Sequence, residues 1–185
     1  MSDDPLAVVV ELLDQAGIPY MLAGSFASSV HGSPRTTNDI DLVIDPTRPV
    51  LDRFVRGLDE ERFCVSDSAV DEAWRRRGMF NVLLLEWGWK ADLILRKDRP
   101  FSRSEFDRRI RVELGGLPVW MATAEDTIVA KLEWAKAGES DRQLRDVSGI
   151  LAAAGGRLDR AYLERWIGAL GLHDVWSRVD SEDFQ

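Results

Sequence analysis

The stretch Gly24 to Asp45, GSFASSVHGSPRTTNDIDLVID, runs from a Gly-Ser step through a polar loop into two aspartates separated by one apolar residue. Ile40, Leu42 and Ile44 alternate with Asp39, Asp41 and Val43. That is the period-two pattern of a strand with one face on a core, so both carboxylates point the same way. Along an extended strand their backbones lie about 7 Å apart, and like charges that close call for something positive between them. An Asp-x-Asp on a solvated surface needs nothing of the kind, and the pattern alone does not decide between the two.

Two neighbouring features add to it. Gly24-Ser25 falls where a short strand over 20–23 gives way to a small-residue helix ending near Gly32. Free N–H groups at a helix N-terminus bind phosphate, glycine lets it approach closely, and serine adds a hydroxyl donor. The plain alternative is Ser25 as an ordinary helix cap. Asp92 interrupts the apolar run 90–95. A carboxylate buried there without partners costs several kcal/mol, so either that strand face is exposed or Asp92 is a third ligand of one site. Three carboxylates on adjacent strands beside a phosphate-binding turn form a two-metal arrangement for phosphoryl or nucleotidyl transfer.

The rest of the chain supplies the frame. A buried helix over 6–16 opens at Pro5 and closes at Gly17. After the strand carrying Asp39 and Asp41, Thr47 is placed to cap a helix with the stripe Val50, Leu51, Phe54, Val55 and Leu58. A short strand over 63–66 and a helix ending at Arg77 follow. The runs 80–86 and 90–95, joined through Trp87-Gly88-Trp89, predict a hairpin, and 111–114 with 117–121 around Gly115-Gly116 predict a second. Beyond Met121 only helices are expected. The first starts at Thr123 with Asp126 three residues on and carries Ile128, Leu132 and Ala135; the second runs from near Ser140 to Gly155-Gly156; the third begins at Asp159. The expected architecture is α/β, a mixed β-sheet with helices packed on it over 1–122, followed by a C-terminal helical region over 123–185.

Composition narrows the function classes. The 185 residues are 45% hydrophobic and 30% charged, with a net charge of −8. That balance argues against a broad nucleic-acid surface, leaving Arg75-Arg76-Arg77 and the scattered Arg103, Arg108, Arg109 and Arg111 as local patches or as solvated element ends. Cys64 is the one cysteine and His31 and His173 the two histidines, so a metal would be held by oxygen, which favours Mg²⁺ or Mn²⁺. No apolar run is long enough to span a bilayer, Asp3 and Asp4 stand where a secretory signal carries positive charge, and the expected location is the cytoplasm.

The stretch 24–45 resembles the signature of the DNA polymerase beta-like nucleotidyltransferase superfamily: Gly-Ser, a spacer, Asp-x-Asp between apolar residues, and a third acidic residue on a later strand. The resemblance implies a nucleotidyltransferase fold, with Gly24 and Ser25 gripping a triphosphate, Asp39 and Asp41 ligating two Mg²⁺ or Mn²⁺ ions, and Asp92 in KADLIL completing the site. Within that superfamily, PRTTNDIDL and AEDTIVAKLEWAKAGESDRQLRDVSGIL are similar to the AbiEii and MenT type, found largely as toxins of toxin-antitoxin pairs. This closer likeness puts Arg35 and Lys131 on nucleotide phosphates and Asp146, of the Arg145-Asp146 pair, near the site. Gly149 departs from the pattern, which often has a further aspartate there. Without the resemblance, Lys131 is a surface lysine and Arg145 and Asp146 are helix-face charges in local pairs. Trp87 and Trp89 are suited to stack on a base or to brace a hairpin, and His31 to reach phosphate or to pack.

The expected activity is transfer of a nucleoside monophosphate from an NTP to an acceptor, with pyrophosphate leaving. The toxin likeness implies tRNA or protein as acceptor and a cognate antitoxin as partner. The acidic balance speaks instead for a cationic small molecule of the aminoglycoside or lincosamide type. A nucleotide-binding module without catalysis is the third alternative, against which stands the retention of all three carboxylates.

Overall fold

Pro5 and Gly17 punctuate the first helix, α1 (Pro5–Ala16), as their chemistry dictates. Asp4 accepts the Leu6 N–H at 3.0 Å, and Gly17 ends the helix in the left-handed region at φ 66°. The computed structural model describes residues 4–32, 34, 36–138 and 141–181. After α1 come β1 (Tyr20–Leu22), α2 (Gly24–His31), β2 (Asp39–Ile44), α3 (Arg48–Arg56), β3 (Phe63–Val65), α4 (Asp67–Arg76), β4 (Met79–Leu84) and β5 (Trp89–Leu95). Then follow α5 (Pro100–Asp107), β6 (Ile110–Leu114), β7 (Leu117–Met121), α6 (Ala124–Gly138), α7 (Asp141–Ala154), a 3₁₀ turn (Gly155–Arg157), α8 (Arg160–Ala169) and α9 (His173–Ser181).

The strands form one seven-stranded mixed sheet in the order β3-β4-β5-β2-β1-β7-β6. β2 runs parallel to β5 and β1 parallel to β7, while the remaining neighbours are antiparallel. Ile40, Leu42 and Ile44 of β2, with Ala91, Leu93 and Leu95 of β5, face the main core that α1, α3 and α4 close. On the opposite face Val43 packs with Met21, Ala122 and Phe106 of α5, with Ile94 against them. That cluster covers the Val43 end of β2 and leaves the Asp39–Asp41 end to the site. A separate core joins α6 to α9 and takes in Phe101, whose ring meets Trp166 edge-on at 5.2 Å.

Local details depart from the sequence reading for physical reasons. The first hairpin turns over residues 85–88, with Gly88 at φ 65°, so β4 stops at Leu84 and Trp89 already belongs to β5. Thr47 precedes α3 without a side-chain cap bond; Pro49 in the first turn and the Arg48–Asp52 ion pair at 2.8 Å support that end instead. Ser66 is not strand but the cap of α4, accepting the Ala69 N–H at 3.4 Å. Two helices were not foreseen. α5 buries Phe101 and Phe106, five residues apart and off the usual i, i+3, i+4 stripe. α9 buries Val175 and Val179, one turn apart in an otherwise polar segment. The expected start near Ser140 lies outside the described residues.

Candidate active site

The parallel pairing of β2 and β5 sets Asp39 beside Lys90 and Asp41 beside Asp92. Partners in register share a face, and adjacent strands lie about 4.8 Å apart, so the three aspartates and Lys90 occupy one patch. β4 adds Asn81 opposite Asp92. Asp92 is buried, and its charge is met from two sides: Asn81 Nδ2 donates to Oδ1, and Lys90 Nζ lies 3.0 Å from Oδ2. The same ammonium stands 3.7 Å from Asp39 Oδ1, on a carboxylate that remains exposed. Its hydrogen bond to Asp92, followed by the surrounding aspartate charges, raises the Lys90 pKa, with burial opposing.

The Gly-Ser step approaches the same patch from α2. Gly24 adopts φ 55°, and a Cβ built on it would overlap the Asp41 carboxylate and fall 2.7 Å from the Asp41 Cβ. Only glycine lets the helix start so close to β2. The Ser25 N–H points at Asp41 Oδ2 at 3.4 Å, and Ser25 lies inside the helix, where Ala23 is the N-cap, so it is not the plain cap. Burial raises the Asp41 pKa, the Ser25 N–H opposes the rise, Asp92 and Asp39 add to it, and Lys131 lowers it.

Lys131 belongs to α6, which packs on α2. Both Lys131 of α6 and Asp146 of α7 are buried; Nζ donates to Asp146 Oδ2 at 2.7 Å and to Gln143 Oε1 at 3.0 Å. They form a buried ion pair across two helices rather than surface charges, while Arg145 points to solvent. α2 seats on α7 at Gly149, whose carbonyl oxygen would lie 2.7 Å from a Cβ at Gly32. The departure at Gly149 thus coincides with a close helix contact. His31 Nε2 lies 2.8 Å from the Ala122 carbonyl, tying α2 to the end of β7. Trp89 packs on Phe26 at 6.4 Å between ring centroids and Trp87 lies under the Arg62 guanidinium at 5.5 Å, so both brace the hairpin.

Gly24, Ser25, Asp39, Asp41 and Asp92 are thus brought into one patch, and the Lys131–Asp146 pair lies on the two helices that pack against α2; Arg35 lies outside the described residues. Asn81 and Lys90 were missed from the sequence. Lys90 carried a signal, standing two residues before Asp92 and hence on its face; Asn81 carried one only through the hairpin register. The carboxylate donors suit a hard divalent cation in chemistry, and the glycine cradle at Asp41 leaves its oxygens reachable. Among the described residues, however, no group of three such side chains is already gathered to hold an ion. Among the same residues no helix is long and apolar enough to cross a membrane.

No protein-family model matches the chain, and no protein of curated function matches it by sequence. Solved structures do match in fold. ANT(2'')-Ia in complex with adenylyl-2''-tobramycin shares 15% identity over 94% of this chain and 99% of its own, with a TM-score of 0.56. The lincosamide antibiotic adenylyltransferase LnuA, lincomycin-bound, shares 11% over 81% and 96%, at 0.54. An antigenic nucleotidyltransferase-like protein from Paracoccidioides brasiliensis shares 18% over 95% and 90%, at 0.57. The class that the sheet and its helices define is the nucleotidyltransferase fold.

Proposed function

We propose that this chain is a divalent-metal-dependent nucleotidyltransferase that moves a nucleoside monophosphate from an NTP to a hydroxyl or amine of an acceptor. The observation that carries the reading is the seating of the Gly24-Ser25 helix start on Asp41, with Asp92 in register beside it. Helix N–H groups and carboxylates meet nowhere else in the described residues with such a constraint on glycine. Asp39, Asp41 and Asp92 would hold the metal, and a divalent ion there would neutralise charge on the α-phosphate and the leaving pyrophosphate. Gly24 and Ser25 would receive the triphosphate at the start of α2, the Ser25 N–H exchanging its long contact with Asp41 Oδ2 for a phosphate oxygen, and Lys131 would add positive potential. The acceptor atom attacks the α-phosphorus, the α–β anhydride breaks, pyrophosphate departs, and a site carboxylate takes the acceptor proton. Arg35 joins the phosphate-binding set on the strength of the motif alone.

Two acceptor classes have support. ANT(2'')-Ia and LnuA, bound to an adenylylated aminoglycoside and a lincosamide, align over nearly their whole lengths, which favours a small-molecule acceptor. The arginine-threonine run and the late Lys131, Arg145-Asp146 segment favour the toxin type, with tRNA or protein as acceptor and an antitoxin as partner. The test is incubation with Mg²⁺ and each α-labelled NTP against total tRNA, cell protein, and an aminoglycoside and lincosamide panel. Transfer to one acceptor, abolished by Asp41→Asn in a chain that still folds, is expected. No transfer to any of them, with nucleotide still bound, would make this a binding module.

A further inference from the structure

The three aspartates do not face one another across empty space: the Lys90 ammonium lies among them, 3.0 Å from Asp92 Oδ2 and 3.7 Å from Asp39 Oδ1. A cation bridging the first and third carboxylates of the patch would occupy the same region. Lys90 is well placed to leave it, since its side chain is 37% exposed on a flexible four-carbon stem, whereas Asp92 is fixed by Asn81 and by burial. Asp41 is the carboxylate the ammonium does not pair with, and it is held instead by the Ser25 N–H and the Gly24 cradle.

We propose, resting on the metal-dependent reading above, that Lys90 is a resident counter-cation of this site, a positioning residue that competes with the divalent ion for Asp39 and Asp92. In the nucleotide-free protein the ammonium keeps the carboxylates gathered and disfavours metal, because an incoming ion must break that pairing and meets a like charge. When a triphosphate arrives, its oxygens offer the ammonium a new anionic partner on the same face and add ligands for the metal. Metal therefore enters with the nucleotide rather than before it, and the free protein is not left with a loaded ion able to activate water.

The test measures Mn²⁺ alone by electron paramagnetic resonance, with no turnover involved. Lys90→Met should bind Mn²⁺ about tenfold or more tightly than the unaltered chain in the absence of nucleotide, while Lys90→Arg, which retains the charge, should stay near the unaltered value. Adding a non-hydrolysable α,β-methylene NTP should narrow the gap between Lys90→Met and the unaltered chain. Thermal melts of both variants establish that they are folded. If Mn²⁺ binding depends on Asp41 and Asp92 but Lys90→Met binds no more tightly, the role of Lys90 is overturned and the metal site stands. If neither Asp41→Asn nor Asp92→Asn weakens Mn²⁺ binding, with or without nucleotide, the metal site itself is overturned and the role of Lys90 with it.

Discussion

Gly24 and Asp41 share a space with no room for one more carbon between them: any side chain at Gly24 would stand on the Asp41 carboxylate. Gly24→Ala must therefore push Asp41 aside or unwind the first turn of α2, and the positive φ adds about 1 kcal/mol of backbone strain. A displacement near 1 Å at a reacting centre costs about a hundredfold in rate. Transfer from NTP should fall by that order while a thermal melt shows only a modest loss of stability. An unimpaired rate would mean that Asp41 need not sit where it does.

The Lys131–Asp146 pair is buried on both sides, so removing one partner leaves a charge in a poor solvent. Lys131→Met should destabilise the chain by about 3–5 kcal/mol, read by urea denaturation. The double change Lys131→Met with Asp146→Leu should cost less than the single one, because no charge is stranded. Double-mutant costs that simply add would show the two residues to be energetically independent.

Tyr162 joins three elements through one hydroxyl, which donates to Asp126 Oδ1 at 2.5 Å and meets Ser104 Oγ at 3.0 Å. Asp126 is fully buried and also takes the Thr123 hydroxyl at 2.7 Å and an Arg108 contact at 3.4 Å. Burial and then the bond to Asp126 push the Tyr162 pKa above its ordinary value of 10.0. Tyr162→Phe removes a donor from a buried carboxylate and should lower stability by about 1–3 kcal/mol. Equal melting temperatures for the two chains would contradict that assignment.

Glu105, buried on α5, has its carboxyl pushed up to about 8, chiefly by burial and then by the Asp126 charge, against Ser102 and Arg99. The folded chain then holds this proton more tightly than the unfolded one, whose carboxyl titrates near 4.5. Through this group stability falls as pH rises from about 4.5 to about 8, and the loss is complete above that range. Glu105→Gln cannot ionise and should melt higher than the unaltered chain at pH 9, with the difference shrinking toward pH 5. Melting curves that differ by a constant amount across that range would rule this out.

How far the sequence could lead depended on how local each signal was. Asp39, Asp41 and Asp92 were readable because each interrupts or alternates with apolar residues in its own strand. The helix start at Gly24 was readable from two adjacent residues, though the reason for the glycine, its contact with Asp41, lies seventeen residues on in another element. Lys90 and Asn81 become part of the site only through the β2–β5 and β4–β5 registers, and register is fixed by packing rather than by any short motif. α5 escaped because its two buried phenylalanines do not trace a helical stripe; their partners lie in two different cores. Lys131 and Asp146 were placed by likeness, and what the fold adds is that they are a buried pair.

The patch and the nearby ion pair draw on segments scattered from Gly24 to Asp146, and the central strand pair, β2 with β5, is parallel, so intervening elements must be made before the two can meet. Chain synthesis runs through Gly24, Asp41 and Asp92 long before Asp146 exists. A chain that ended within the sheet would lack the α6–α7 ion pair. The full set of charges therefore comes together only in a chain that extends past Asp146 of α7.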